Sequence, residues 1–351
     1  MNEKITALRH ELHALAEPSG AETKTKERLK RFLSENTSLE LIDCGGGFYA
    51  AHRESDTAKP SIALRADFDA LRLPDGGCAH LCGHDGHSAA LCGLALRLEG
   101  KKLGRDVFLL FQPAEETGAG ALGCLGFLER EKPGEIYGAH NLPGFELGHI
   151  FTKSGTFACA SRGLTLKFSG RAAHAAYPEL GVSPAAAVGE LLGLATKPVD
   201  DADGMVLCTV IGVQMGERAF GAAAAGAEIW LTLRAEHDTE LTRLYDRIIG
   251  ASEKLAARYG LGFGFEDCDV FPSTENDPDA AKKVLTLCGG SELEAPMRWS
   301  EDFGWYLKSC KGAFFGIGAG VDHAPLHSEC YDYPDELLEV TADAFEKLIL
   351  G

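Results

Sequence analysis

Apolar residues recur at helical spacing over 5–15, and again in a second helix where Leu29, Phe32 and Leu33 mark the buried face and Thr23 is placed as its cap. The period then changes. Residues 61–66, 106–111 and 135–139 are short, almost continuously apolar runs, the mark of strands covered on both faces. Helical stretches over 88–98 and 118–128 separate them, which predicts a largely parallel sheet sandwiched by helices.

Near Ser161 the style shifts. Residues 164–168 alternate, 184–194 read as helix, and 205–213 and 228–233 read as strands. Leu241, Leu244, Tyr245, Ile248, Leu255 and Tyr259 then line one face of a long helix closed by Gly260. Strand, helix, strand, strand, helix, strand is the order of a ferredoxin-like α+β unit. After Cys268 the α/β style returns, with a helix from Pro278, another near Phe303, a strand over 313–317 and a closing helix from Pro334. The expected fold is therefore α/β, with a mixed, mostly parallel sheet and helices on both faces, interrupted by an inserted α+β unit.

Length and composition narrow the class. At 351 residues the chain is long enough for two domains, and 45% hydrophobic with 25% charged residues is a globular balance. No apolar run reaches membrane-spanning length, and the start carries no secretory apolar region, so no membrane partner and a cytoplasmic location are expected. Eleven cysteines, an odd number without a regular framework, read as reduced thiols. A net charge of −18 excludes nucleic acid as a natural partner, but a locally positive cleft could still take a small anion.

Candidate chemistry collects where loops leave the predicted strands. Cys82-Gly83-His84-Asp85-Gly86-His87 puts a thiol and an imidazole one residue apart, with glycines that permit a tight turn, and both side chains suit zinc and its neighbours. Gln112-Pro113-Ala114-Glu115-Glu116 places adjacent carboxylates just beyond a buried strand, at the sheet edge where ligands bind in open α/β folds. Two neighbouring glutamates cannot face one atom alike, so one is expected to ligate and the other to hold water. His140 and His327 follow two further strands. A Cys82 nucleophile served by His84 or His87, or a closed structural zinc site, would each use part of this set. Neither would use Glu115, Glu116, His140 and His327 together.

In this order, the segments LRHELHALAE, LRADFDAL, CGHDGH, FQPAEE, GAHNLP, GRAAHAAYP, SEDF and PLHSECYDYPDE resemble the zinc-dependent aminoacylase and carboxypeptidase family, in particular its amidohydrolase branch of hippurate and auxin-conjugate hydrolases. The resemblance implies two divalent metal ions (Zn, Mn, Co or Ni) held by Cys82, His84, Glu116, His140 and His327, with Cys82 bridging and Glu115 as general base. It implies that Asp67, beside Arg65, orients a ligand. It makes residues 1–157 and 267–351 the catalytic domain and 158–266 an inserted lid, with His174 holding substrate or oxyanion and a homodimer formed through the lid. The implied reaction is hydrolysis of an N-acyl amino acid or related small acidic amide. Peptide hydrolysis on the same site, or amide binding without catalysis, are the alternatives.

The lid departs from the family pattern. Tyr177-Pro178-Glu179 stands where a second histidine is usual, and Phe220-Gly221-Ala222-Ala223-Ala224 replaces an Asn-Val-Ile-Pro segment that anchors a substrate carboxylate. Arg234 and Arg218 are the lid cations expected to contact an anionic substrate instead.

Overall fold

A computed structural model describes residues 3–351; Met1 and Asn2 lie outside the described residues. The chain divides into two compact units. One comprises the residues up to Phe157 together with Thr274–Met297 and Glu301–Gly351, and the other comprises Ala158–Ser273 with Arg298–Ser300.

The first unit is built on an eight-stranded sheet in the order Glu40–Cys44, Gly47–His52, Val107–Gln112, Ile62–Asp67, Glu135–Pro143, Gly312–Gly320, Ile150–Thr152, Ser291–Glu292. The middle four, from Val107–Gln112 to Gly312–Gly320, are mutually parallel, and antiparallel pairings begin on either side of them. Continuous apolar sequence produces this: every residue of Ile62–Asp67 and Val107–Gln112 is buried, so neither face can meet water. The helices Glu3–Leu15, Thr23–Asn36, His84–Leu98, Pro278–Cys288 and Glu336–Leu350 contribute Leu8, Leu29, Leu91, Val284 and Phe345 to one core with the sheet.

Three local expectations change. Thr23 is the first helical residue rather than the cap; Glu22 occupies the cap position, with its carboxylate accepting from the backbone N–H of Gly20 and Ala114. The 118–128 stretch is two short helices, Gly120–Cys124 and Gly126–Glu131, consistent with the low helix propensity of glycine. The helix expected from Ser88 begins at His84, so candidate ligands lie in its first turn.

The second unit is a four-stranded antiparallel sheet in the order Val206–Met215, Gly226–Ala235, Ala160–Ser169, Gly262–Phe271. The helices Ala185–Ala195 and Asp238–Tyr259 pack on one face through Leu191, Leu244 and Ile248, against Leu166, Ile229 and Leu231. The strand Gly262–Phe271 pairs along Ala160–Ser169 and so carries this unit past residue 266. Among the described residues, no helix is long and apolar enough to cross a membrane.

Candidate metal centre

All of the candidate ligands lie in the first unit, beyond the C-terminal ends of its parallel strands. Gly83, with φ of 94°, caps the His84–Leu98 helix in the left-handed region, and a Cβ there would stand 2.6 Å from Asn141 Oδ1. This turn brings Cys82 and His84 to the same side. After the strand Val107–Gln112, Ala114 adopts a φ of 52°, held by the bond from its N–H to Glu22 at 2.8 Å, and the short turn Glu115–Thr117 follows.

The two glutamates diverge as adjacent residues must. Glu115 faces Glu301 and Asp302, while Glu116 faces Cys82 and His327. His84 Nε2 stands 3.9 Å from an oxygen of each glutamate. Cys82 Sγ lies 3.4 Å from His140 Nε2, and Glu116 Oε1 lies 3.7 Å from His327 Nε2. Ligand atoms of Cys82, His84 and His140 converge within 4.8 Å, as do those of Cys82, Glu116 and His327; Cys82 is common to both groups.

Two hydrogen bonds set the imidazole tautomers. His140 Nδ1 lies 2.8 Å from the Asn141 carbonyl and His84 Nδ1 lies 2.9 Å from Asp69 Oδ1. A carbonyl or carboxylate can only accept, so both Nδ1 atoms carry a proton, which makes Nε2 the ligating nitrogen of the neutral ring. His84 Nε2 and Glu116 Oε1 are buried without a hydrogen-bond partner among the described residues, an arrangement that costs free energy unless something is ligated there.

Electrostatics point the same way. Asp67, Asp69, Glu115, Glu301 and Asp302 are almost fully buried, with Glu116 close by, while Arg65 is the guanidinium buried among them. Its Nε donates to Gln112 at 2.8 Å, Nη1 to Asp67 at 2.5 Å, and Nη2 to Glu301 at 2.9 Å and Asp302 at 2.8 Å. Arg65, even with the His84 imidazole drawn, against the cost of burial, toward its protonated form by Asp67, Cys82 and Asp69, does not balance this set. Burial, then Glu301, Glu116 and Asp302, drives the Glu115 carboxyl well above the usual range, and burial lifts Glu116 to about 7. Burial raises the Cys82 thiol and lowers the His140 imidazole. A dication would supply the missing positive charge and hold the thiolate. The donor set of thiol, imidazole and carboxylate fits zinc, manganese, cobalt or nickel.

Residues 63–351 match the sequence model of peptidase family M20/M25/M40. The chain belongs to that family. Among curated relatives, the N-acetyldiaminopimelate deacetylase of Exiguobacterium sibiricum is 27% identical, covering 94% of each chain. The N-acetylcysteine deacetylase of Bacillus subtilis is also 27% identical, over 98% of this chain and 96% of its own. Among solved structures, a dinuclear-metal-binding M20 peptidase of Bacillus subtilis superposes with a TM-score of 0.82 at 26% identity, over 99% of this chain and 97% of its own. A putative aminohydrolase of Staphylococcus aureus shares the fold, with a TM-score of 0.86 at 23% identity, over 99% of this chain and 96% of its own. The M20 chain is an amidohydrolase, an enzyme acting on carbon–nitrogen amide bonds.

Several residues of this M20 site lie inside the family-like segments without a role having been read for them. Asp69, not Asp67, holds His84 Nδ1; Asp67 instead accepts from His87 Nδ1 at 2.6 Å and from Arg65. The signal was present, since Asp67 and Asp69 are two residues apart near the end of one strand. His87 in turn meets Asn141 Oδ1, and Asn141 Nδ2 donates to the Tyr331 hydroxyl. Glu301 and Asp302 belong to the SEDF segment, but only the fold brings them to Arg65 and Glu115.

The remaining candidates lie in the second unit. His174 is exposed on a two-stranded ribbon, Ala173–His174 with Ala222–Ala223, and its Nδ1 accepts from Ala176 N–H at 3.1 Å. Arg234 is half-buried and donates from Nη1 to the Arg298 carbonyl at 3.0 Å and Ser300 Oγ at 2.7 Å. Those bonds within its own unit occupy part of the guanidinium. Arg218 is exposed in the turn before Phe220.

Proposed function

We propose that this M20 enzyme hydrolyses the amide bond of an N-acyl amino acid, using two divalent ions held by Cys82, His84, Glu116, His140 and His327. The observation that carries the reading is the pair of buried, unpartnered ligand atoms, His84 Nε2 and Glu116 Oε1, pointing into a donor cluster with Cys82 common to its two groups. Cys82, common to both groups, would serve as their shared donor. Bound there, the ions would supply Lewis acidity, easing ionisation of the attacking water and polarising the scissile carbonyl.

Glu115 supplies the proton chemistry. It sits beside the donor cluster rather than within the Cys82 groups, and its raised proton affinity suits a group that accepts a proton from water and returns it to the leaving amine. Arg65 fixes Glu301 and Asp302 behind it. His174 is proposed as a substrate or oxyanion contact, and Arg234 and Arg218 as contacts for a substrate anion. The names of the two curated deacetylases support an acetylated amino acid as the first substrate to try. Eleven free thiols support a cytoplasmic setting. The uncovered edge strand Val206–Met215, with Ile211, Val213 and Met215 exposed, supports a homodimer through the second unit.

The test is reconstitution. Protein stripped by a chelator and reloaded with each of Zn, Mn, Co and Ni is assayed for free amine on N-acetyl amino acids, hippurate and short dipeptides. Metal-dependent turnover with two ions per chain is expected, best on an N-acyl amino acid. Turnover that survives complete metal removal would overturn the proposal.

A further inference from the structure

The segment LRHELHALAE lies far from every candidate ligand in sequence, yet one of its side chains is buried as deeply as a core leucine. Ile5, Leu8, Arg9 and Leu12 form the buried face of the first helix, and Arg9 is 3% exposed. Its nitrogens reach one short stretch at the other end of the chain: Nε to Asp335 Oδ1 at 2.9 Å, Nη1 to Asp332 Oδ1 at 2.8 Å, and Nη2 to the Tyr333 carbonyl at 2.7 Å. The same Nη1 lies 3.8 Å from Asp85, whose neighbour His84 opens the ligand-bearing helix. His13 Nδ1 meets Asp85 at 2.8 Å, and His10 Nε2 meets Asp335 at 2.9 Å, tightening the join.

His327 stands shortly before this stretch in the same loop. That residue has a φ of 66°, a conformation few side chains adopt, and its N–H is tied to the Leu81 carbonyl at 2.7 Å. Tyr331 and Tyr333 then fold under the ligand turn. A Cβ on Gly83 would lie 2.9 Å from the Tyr331 hydroxyl, and one on Gly86 would lie 2.3 Å from the Tyr333 ring. The His327 imidazole itself is half exposed, so little packing of its own holds it in place.

We propose that Arg9 is a positioning residue of the metal centre, a fork that ties the segment carrying His327 to the segment carrying Cys82 and His84. These are the last and the first of the candidate ligands in the chain, and among the described residues no strand pairing joins them. A planar guanidinium bonds the Asp332 carboxylate, the Asp335 carboxylate and a carbonyl from three separate nitrogens, a fixed spread that the single ammonium nitrogen of a lysine does not have. The inference rests on the reading of His327 as a ligand.

Arg9→Lys and Arg9→Met, the double variant Asp332→Asn/Asp335→Asn, and His327→Ala are compared with the parent as purified full chains. Bound zinc per chain is measured after dialysis against a weak chelator, zinc affinity by competition, and amide hydrogen exchange over 322–335. The expected result is weaker binding of one of the two ions, by roughly 10–100-fold. Exchange over 322–335 should be faster, with Arg9→Lys intermediate between parent and Arg9→Met. The double variant keeps the first helix intact, so it tests the same clasp even if Arg9→Met does not fold. Parent-like zinc affinity in the Arg9 variants and the double variant, with affinity lost in His327→Ala, would overturn the positioning role alone. Parent-like affinity in His327→Ala would overturn the ligand reading beneath it.

Discussion

Replacing Glu115 with glutamine probes the chemistry most directly, because the structure predicts separate effects on fold and on rate. Glutamine has the shape of a protonated carboxyl. Burial, with Glu301, Glu116 and Asp302 nearby, already favours that protonated form, so Glu115→Gln costs the fold little beyond the 3.9 Å approach of His84 Nε2 to the carboxylate. Among the described residues, the carboxylate accepts one hydrogen bond, from Asp302 N–H at a long 3.5 Å, and the amide oxygen can accept it. The melting temperature of the metal-free protein should therefore stay the same or rise. Glu115 is also outside the proposed ligand set, so metal content should remain at the parent level. What is lost is the group that accepts and returns a proton. Such a group contributes about 10²–10⁴ in rate. At about 1.36 kcal/mol per decade this amounts to about 2.7–5.4 kcal/mol of barrier. The assay is amine release from the best N-acyl amino acid at saturating substrate, with metal content and melting measured on the same preparation. A variant within tenfold of the parent kcat, with metals bound, would refute the assignment of Glu115 as base.

Other outcomes follow from other contacts. Asp69→Ala frees His84 Nδ1 and removes the acceptor of the Glu116 N–H at 3.0 Å, so metal affinity should fall about 10–100-fold by competition against a chromophoric chelator. Gly86→Ala drives a Cβ to 2.3–2.4 Å from the rigid Tyr333 ring, and should destabilise by about 1–3 kcal/mol in chemical denaturation. Asp43 bonds Lys26 and Lys30, and these hold its carboxyl below the ordinary value. A depressed folded-state value stabilises above the unfolded value and loses that stabilisation as pH falls through the folded one. Asp43→Asn should therefore lower the melting temperature slightly at neutral pH and not at all at a pH well below the ordinary carboxylate range. An equal effect at both pH values would contradict the lysine origin.

Much of the fold was legible because its signals are local. An unbroken apolar run such as Val107–Gln112 has one low-energy fate, a strand shielded on both faces, and the heptad-like face of Asp238–Tyr259 has one as well. Ligand types were legible too, since Cys82 with His84, and Glu115 with Glu116, stand within a turn of each other. Register and boundaries were less so. Gly262–Phe271 reads as the end of one unit only once its pairing with Ala160–Ser169 is seen.

The sequence by itself determined which chemical groups the centre has and which strand ends they leave from, because side-chain chemistry and hydrophobic period are properties of short stretches. Tertiary structure decided their roles. Asp69 rather than Asp67 orients His84, and Asp302 reaches Arg65 from 237 residues away. The physical reason is that a buried hydrogen bond depends on distance and direction in space, and these are set only when the parallel strands come together at a common edge. Arg9 illustrates the same point from the far end of the chain. A helix pattern marks its position as buried, but only the fold supplies the carboxylates that make a buried guanidinium tolerable.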